Sequence, residues 1–439
     1  MFCTSRLCSR GFGKLMNGHS LTLNFKNICT NRLKDNRNGV IKWKNLWSNC
    51  GKISPTIATT RSTTAVIVTR LSSSVVKKSD KIVGSWLLIC GGMVFVAVAL
   101  GGVTRLTESG LSMVTWQLLG EKMPVTEDEW KAEFERYQLY PEFQITNKHM
   151  TLNEFKRIWW MEYIHRMWGR LIGAVFLLPA SYFWYKGMLT QPMKKKVFGL
   201  AVLIGLQGLM GWYMVKSGLE NRFDGPNDVP RVSQYRLASH LSLALVIYAG
   251  FLYNALDHLI PANKLYLDSS NEPKLANTLI QNLLKFKKYV YTTKGLIFLT
   301  AVSGAFVAGL DAGLIYNNFP KMADKWIPDD LFVLLPFLKN FTENPTTVQF
   351  DHRILGITTL SMITAVAFMS RKLKLPGRGA KGVLAIVCFG YLQVILGIST
   401  LLYHVPIPLA ALHQSGSLLL LSSAVWLCHE LKHVRALPK

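Results

Sequence analysis

The chain has 439 residues, of which 50% are apolar and only 17% are charged, and its mean hydropathy is positive at +0.22. Such a composition indicates a protein that crosses a membrane several times. The formal net charge of +25 does not indicate nucleic-acid binding, because the first 79 residues alone contribute 14 − 1 = +13.

These first 79 residues hold 14 Lys and Arg against the single acid Asp35, with many Ser, Thr and Asn and no apolar run of membrane-span length. This composition is typical of a mitochondrial presequence. The alternative is a disordered basic tail on a bacterial or plasma-membrane protein. We predict that residues 1–79 form a presequence and disordered basic segment, whose cleavage position stays open.

Apolar runs of about 20 residues, enough to cross a hydrocarbon core, begin near positions 82, 166, 197, 237, 294, 353, 382 and 408. The predicted fold is therefore an all-α polytopic membrane protein with eight transmembrane helices, arranged as two four-helix bundles. The N-terminal bundle covers residues 80–260 and the C-terminal bundle residues 291–432. Residues 261–290 are a predicted matrix linker, and residues 433–439 a matrix tail.

The distribution of Lys and Arg predicts the orientation, because basic loops stay on the side of synthesis. Three basic connections lie at residues 186–196, 285–294 and 371–381. The alternate connections are less basic and lie at residues 105–160, 219–236, 313–351 and 403–407. We expect the basic set to face the matrix of the mitochondrion and the other set the intermembrane space. With an even number of spans in the inner membrane, both termini then lie in the matrix.

Four histidines lie within about one turn of the outer end of an apolar run, namely His165, His240, His352 and His413. An imidazole in hydrocarbon is costly unless it binds something, and two pairs at one membrane depth would suit two haems. A single intramembrane histidine is more often a hydrogen-bonded core residue. Four at one depth favour iron ligands instead.

The sequence also repeats itself. Residues 206–211 (LQGLMG) match residues 392–397 (LQVILG), and Gln207 and Gln393 follow His165 and His352 by 42 and 41 residues. Residues 104–110 align loosely with residues 307–313. Because four spans separate the copies, the halves are predicted to be parallel repeats about an axis along the membrane normal. We interpret the glycines of the first pair of segments as close-packing positions between helices.

An acid distinguishes the two copies. Residues i and i+3 share a helix face, so Glu162 lies beside His165, whereas neutral Gln349 occupies the same place before His352. A solvated interface residue is the alternative interpretation of Glu162. An acid in one copy alone is expected if one site performs chemistry and the other only carries electrons.

A basic residue directly follows one histidine of each half, Arg166 in the first and Arg353 in the second. Two interpretations stay open for these arginines. They are either cations that reach out of the bilayer at a helix end or partners of haem propionates.

Four segments resemble the eukaryotic haem A synthase family, the inner-membrane enzymes of cytochrome oxidase assembly. They are residues 101–112 (GGVTRLTESGLS), 162–170 (EYIHRMWGR), 350–356 (FDHRILG) and 412–414 (LHQ), and the resemblance covers about residues 80–432. It implies that the enzyme converts the C8 methyl group of haem O to a formyl group by successive oxidations with molecular oxygen and externally supplied electrons. Many bacterial members have a cysteine pair in the first outer loop, but residues 105–160 contain no cysteine.

The resemblance also implies a role for each site residue. His165 and His240 match the substrate-haem ligands, His352 and His413 match the ligands of a haem B cofactor, and Glu162 matches the essential acid. Whether Glu162 manages protons or stabilises charge stays open, as does the source of the formyl oxygen.

The implied partners are a haem O synthase as substrate supplier, a ferredoxin-type electron donor on the matrix side, molecular oxygen and membrane lipid. Oligomeric state and the docking surface of the donor stay open. A b-type dihaem cytochrome that only transfers electrons is the competing interpretation. A metal transporter is disfavoured, because histidines at one depth form a layer and not a route.

Overall fold

The computed structural model describes residues 67–70, 78–220, 229–260, 264–267, 273–373, 375 and 377–434. Nearly all of the predicted presequence therefore lies outside the described residues. Parts of the predicted outer loop 219–236, the matrix linker 261–290 and the matrix tail 433–439 also lie outside them.

The described residues are almost entirely helical, which confirms the predicted all-α class. The α-helices are α1 (Lys78–Leu106), α2 (Glu127–Gln138), α3 (Pro141–Ile145), α4 (Leu152–Tyr185), α5 (Gln191–Leu219), α6 (Gln234–Leu259), α7 (Pro273–Gly309), α8 (Asn340–Glu343), α9 (Pro345–Leu373), α10 (Gly377–Leu402) and α11 (Ile407–Glu430). Short 3₁₀ helices span Ala312–Leu314 and Phe337–Lys339. Two four-residue strands, β1 (Ile67–Arg70) and β2 (Lys264–Leu267), pair antiparallel.

The long helices pack in two groups of four. In the first group α1 contacts α4 and α6, and α5 contacts α4 and α6. In the second group α7 contacts α9 and α11, and α10 contacts the same two helices. Contacts of α6 with α7 and of α11 with α1 and α6 join the two groups. These groups correspond in sequence to the two predicted bundles, but α7 begins at Pro273, inside the predicted linker 261–290. The bounds of the bundles and their repeat relation stay predictions.

Seven helices of the described chain are long and apolar enough to cross a membrane, namely α1, α5, α6, α7, α9, α10 and α11. The chain is therefore a multi-pass membrane protein. The predicted count of eight spans is not confirmed, because α4 is not among the seven. The predicted span near residue 166 forms the second half of α4, where Arg166 and Arg170 and an aromatic end lower the hydropathy.

One apolar core runs through both groups and includes residues of α1, whose Leu87 and Cys90 are fully buried, and of α11. Trp86 of α1 stacks on Phe176 of α4 with ring centroids 5.2 Å apart. Near the end of α1 that leads into the loop 105–160, the Gln414 amide of α11 donates to the Val98 carbonyl oxygen at 2.8 Å. Helix α1 is thus held against both groups close to His413.

The connection between α1 and α4 folds into a small outer cap rather than an open loop. Reciprocal hydrogen bonds of Thr126 with Glu129, and of Thr151 with Glu154, begin α2 and α4 in the capping-box manner. A second apolar cluster joins the cap to the first turns of α4, and its buried members are Met113, Trp130, Tyr137, Phe155 and Trp159. We define the outer cap as residues 111–151. The sequence predicted only a connection less basic than the matrix loops here.

An acid is buried inside the outer cap. Tyr137 donates its hydroxyl to a Glu142 carboxylate oxygen at 2.9 Å, and Asn147 donates to the Tyr137 hydroxyl at 2.8 Å. Burial raises the pKa of Glu142 to about 8, and the pKa of Tyr137 is raised for the same reason.

Candidate functional site

The two histidine rings of the second group lie close together. His352 on α9 and His413 on α11 have ring centroids 6.4 Å apart, with their planes at 89°. Two metal–nitrogen bonds of about 2 Å each, plus the distance from nitrogen to centroid in both rings, add up to about 6 Å. The pair therefore fits a single iron between two imidazoles.

The first group places its histidines on the corresponding helices. His165 lies on α4 and His240 on α6. Imidazole pairs are a donor set that suits haem iron. Among the described residues no group of three or more His, Cys, Asp and Glu could hold a metal ion.

A glycine of a neighbouring helix faces each of the four rings. A Cβ built on any of these glycines would lie within 3.3 Å of the Cε1 atom of the ring. The distances are 3.0 Å from Gly101 to His165, 3.1 Å from Gly211 to His240, 3.3 Å from Gly304 to His352 and 2.8 Å from Gly397 to His413. Gly211 and Gly397 are close-packing positions between helices, as predicted. The groups that pack against them are the rings of His240 and His413. Gly208 meets nothing within 4 Å.

Three of the rings have polar side-chain partners that sequence reasoning missed. The Gln207 amide nitrogen lies 3.2 Å from His240 Nδ1 and 3.3 Å from its Nε2. In the second group the Gln393 amide nitrogen lies 3.0 Å from His413 Nδ1, and Ser303 Oγ lies 2.7 Å from His352 Nδ1. Both glutamines lie in the repeated segments 206–211 and 392–397, and this repetition was the sequence signal from which they could have been identified.

The Glu162 side chain is buried, with 2% of the residue exposed. One carboxylate oxygen accepts from the Ser112 hydroxyl at 2.7 Å and from the Met113 backbone N–H at 2.8 Å. The other pairs with an Arg166 guanidinium nitrogen at 2.6 Å. A buried carboxylate needs such partners, because desolvation of an unpaired charge is costly. The interpretation of Glu162 as a solvated interface residue is therefore wrong.

Arg166 does not reach into solvent, since only 10% of its side chain is exposed. Its guanidinium donates to the Met113 and Thr115 carbonyl oxygens at 2.8 and 2.7 Å, and lies 3.4 Å from Glu121. It thus ties the entry of the outer cap to α4. Both interpretations of Arg166 made from the sequence stay predictions.

The second group repeats this arrangement with a neutral side chain. Gln349 is buried and donates its amide to the Ala312 carbonyl oxygen at 2.7 Å. Arg353 donates to the Gln349 amide oxygen at 3.0 Å and to the Tyr316 carbonyl oxygen at 2.9 Å. Both arrangements fix the segment that follows the first helix of their group. They differ in charge, because only the first contains a carboxylate.

A further ion cluster lies where the two groups meet. Asp311, which follows α7, pairs with Arg105 at the end of α1 at 2.6 Å and with Arg231 before α6 at 3.2 Å. Asp311 and Glu108 both adopt left-handed backbone conformations, with φ of 52° and 50°. They occupy equivalent places in the loosely aligned segments 307–313 and 104–110.

Comparison with known proteins gives one family and many relatives. Residues 84–425 match the COX15-CtaA family model, described as a cytochrome oxidase assembly protein. Over 359 residues the chain is 57% identical to the heme A synthase COX15 of Homo sapiens, covering 82% of this chain and 84% of that protein. It is 44% identical to the Arabidopsis thaliana heme A synthase COX15 over 357 residues, covering 81% and 76%. It is also 44% identical to the heme A synthase of Nitrosospira multiformis over 354 residues, covering 80% and 94%.

Proposed function

Because this chain belongs to the COX15-CtaA family of cytochrome oxidase assembly proteins, we propose that its two histidine pairs hold the two haems of a haem A synthase. The chain is an enzyme that converts haem O to haem A by oxidation. The shared name of relatives from animals, plants and bacteria disfavours the purely electron-transferring cytochrome considered from sequence.

We assign His165 and His240 to the substrate haem O, whose C8 methyl group becomes the formyl group. His352 and His413 are assigned to a haem B cofactor. The observation that carries this assignment is Glu162, the buried acid next to His165, where the other pair has neutral Gln349. The 6.4 Å separation of the second pair supports stable ligation from both sides of one iron.

When bound, the haems supply oxygen activation and electron transfer. The residues of the chain supply a fixed electrostatic environment. Ser112, Met113 and Arg166 hold the Glu162 carboxylate in one position, and every one of these contacts is 2.8 Å or shorter. A preorganised charge stabilises opposite charge that develops nearby without reorganisation during the reaction. We therefore propose charge stabilisation, rather than proton transfer, as the role of Glu162.

The surroundings limit access of water to the first pair. The outer cap lies against the first turns of α4, where Phe155 and Trp159 are almost fully buried. Exclusion of water strengthens electrostatic interactions in a site and prevents side reactions. Arg166 contributes by closing the entry of the cap onto α4. Because the guanidinium groups of Arg166 and Arg353 already donate to backbone carbonyl oxygens, we propose that these arginines mainly hold the loops in place. Binding of haem propionates is their second role.

We propose that the enzyme lies in the inner mitochondrial membrane with both termini in the matrix. The second half of α4 then serves as the eighth span, and the two groups of four helices are parallel repeats. The corresponding placement of Glu162 with Arg166 and of Gln349 with Arg353 supports this symmetry. A haem O synthase would supply the substrate, and a ferredoxin-type donor on the matrix side would supply electrons together with molecular oxygen. Self-association stays a prediction.

Extraction of the haems from the purified full-length protein tests the proposal. We expect haem B together with haem O or haem A, separated by reversed-phase chromatography, because the substrate site and the cofactor site hold different haems. A protein that contains haem B alone at both sites, and that does not convert added haem O, would contradict the proposal and support the dihaem cytochrome.

A further inference from the structure

The four histidine rings are not held equally, and the difference lies in one hydrogen bond. His240, His352 and His413 each have a polar side chain against the ring. The Nδ1 atom of His165 is buried, and no group of the described residues forms a hydrogen bond with it. An imidazole that binds metal through one nitrogen ordinarily donates the other N–H to an acceptor, which fixes both tautomer and orientation.

Ser303 provides this acceptor for His352. Its hydroxyl donates to the Thr300 carbonyl oxygen at 2.8 Å, so its only proton is already used. At the 2.7 Å contact with His352, the serine oxygen must therefore accept the proton of Nδ1. This leaves the lone pair of His352 Nε2 available for iron, in one defined tautomer.

The first group has Leu100 at the position that corresponds to Ser303. The next residue on each helix is a glycine against the equivalent ring, because a Cβ on Gly101 would approach His165 Cε1 to 3.0 Å and one on Gly304 would approach His352 Cε1 to 3.3 Å. Leucine has no hydrogen-bonding side chain. The backbones thus approach the His165 and His352 rings alike. The hydroxyl that accepts the Nδ1 proton, which we call the anchor, is present only in the second group, as Ser303.

The other ligand of each group does not share this difference. Gln207 and Gln393 lie on the corresponding helices α5 and α10, and each amide nitrogen also donates to the backbone carbonyl of its histidine, at 3.1 and 2.6 Å. Because an amide nitrogen can only donate, these contacts hold the ring in place and do not accept its proton as Ser303 does. The asymmetry is therefore confined to His165 and His352.

We propose that His165 is the exchangeable ligand of the substrate site, that His240 is its resident ligand, and that Ser303 is a positioning residue that makes His352 a permanent ligand. The inference rests on the proposed assignment of the substrate haem to the first pair. An unanchored ring turns away from the iron at lower cost than an anchored one. The first site can then release one ligand when substrate enters and product leaves, while the second site keeps its haem.

Exchange of the anchor between the groups tests this inference. The readout is transfer of haem from the purified full-length protein to excess apomyoglobin, together with the high-spin fraction in the ferric electron paramagnetic resonance spectrum. We expect a fast and a slow phase of transfer, and His413→Leu should remove the slow one. Leu100→Ser should slow the fast phase by about 10–100-fold, the usual effect of an outer hydrogen-bonding partner, and should lower the high-spin fraction. Leu100→Ala, which removes the same bulk without adding a hydroxyl, should not slow it.

The reverse change uses Ser303. Ser303→Ala should accelerate the slow phase by about 10–100-fold and create a high-spin signal in the second site, and Ser303→Thr, which keeps the hydroxyl, should restore the slow phase. Equal effects of Leu100→Ser and Leu100→Ala, or an unchanged slow phase in Ser303→Ala, would overturn the inference.

A second comparison does not depend on whether Leu100→Ser folds. His165→Ala should retain haem in the first site in a five-coordinate, high-spin form, whereas His240→Ala should lose it. Equal retention in both variants would overturn the inference. That failure is distinguishable from failure of the proposed function, because conversion of haem O to haem A by the unaltered protein would remain normal.

Discussion

The Glu162 carboxylate and the Arg166 guanidinium, one helical turn apart on α4, form an ion pair of 2.6 Å in which 3% and 10% of the two side chains are exposed. The corresponding pair on α9, Gln349 and Arg353, is joined at 3.0 Å without a negative charge. The same geometry therefore occurs twice, and only one copy carries a carboxylate. Substitution of Glu162 by glutamine, the residue at the corresponding position 349, therefore tests the effect of the charge while the size of the side chain is kept.

Glu162→Gln should preserve haem binding and reduce haem A formation by about 10²–10³-fold, the usual effect of removing one preorganised electrostatic group. Haem O, or its partly oxidised alcohol, should accumulate because the substitution removes the charge and keeps the size. The measurement is the haem profile of cells with wild-type protein abundance. Glu135→Gln, which changes an exposed acid of the outer cap, should leave the profile unchanged. Normal haem A in Glu162→Gln would show that the charge has no catalytic role.

His352→Leu or His413→Leu should remove the low-spin haem B signal, because a bis-imidazole site loses its strong ligand field when one imidazole is replaced. Optical spectra of the purified variants measure this. His149→Ala changes an exposed histidine of the outer cap and serves as the control. Retention of the wild-type haem B spectrum in both ligand variants would contradict the assignment of the cofactor site.

Protease treatment of mitoplasts should cut within residues 105–160 and spare residues 371–381. The reason is that basic segments such as the one around Arg371 are expected to stay on the matrix side. Antibodies against each segment identify the fragments. Protection of the first segment combined with cleavage near Arg371 would invert the orientation and place the histidines on the matrix side.

The outer cap should lose stability as pH rises from about 4.5 to about 8. Burial raises the pKa of Glu142 from 4.5 to about 8, so in this interval the folded state binds more protons than the unfolded state. The contribution is fully present below pH 4.5 and lost as pH passes 8. Hydrogen–deuterium exchange of residues 127–145, corrected for intrinsic rates, should therefore increase over this interval in the native chain and much less in Glu142→Gln. Equal pH dependence in both chains would rule out this linkage.

The roles of the four histidines and of Glu162 stay predictions. The sequence did predict the seven long apolar helices of the described chain, because apolar runs depend on residue types at short, regular spacing along one helix. It did not predict the ring partners. Ser303 and His352 are 49 residues apart and lie on different helices, so their contact depends on helix packing and not on local pattern. The repeated segments showed that Gln207 and Gln393 occupy corresponding positions, but not that either side chain contacts a histidine ring.

The outer cap was missed for a related reason. Its helices α2 and α3 have 12 and 5 residues, too short for a clear hydrophobic period, and their apolar side chains pack on α4 rather than on each other alone. The span near residue 166 was predicted from its apolar run, but it is not confirmed, because the charges next to the site lower the hydropathy of α4.

Helix α4 runs without interruption from Leu152 to Tyr185 and carries the outer cap at one end and His165 near its middle. At 1.5 Å per residue its 34 residues extend about 51 Å, well beyond a hydrocarbon core of about 30 Å. The ring of Trp130 in the cap packs edge-on against Trp159, with centroids 4.9 Å apart, less than two turns before His165. The outer cap and His165 are thus carried by one continuous helix, so that a displacement of the cap is transmitted along α4 to the His165 ring.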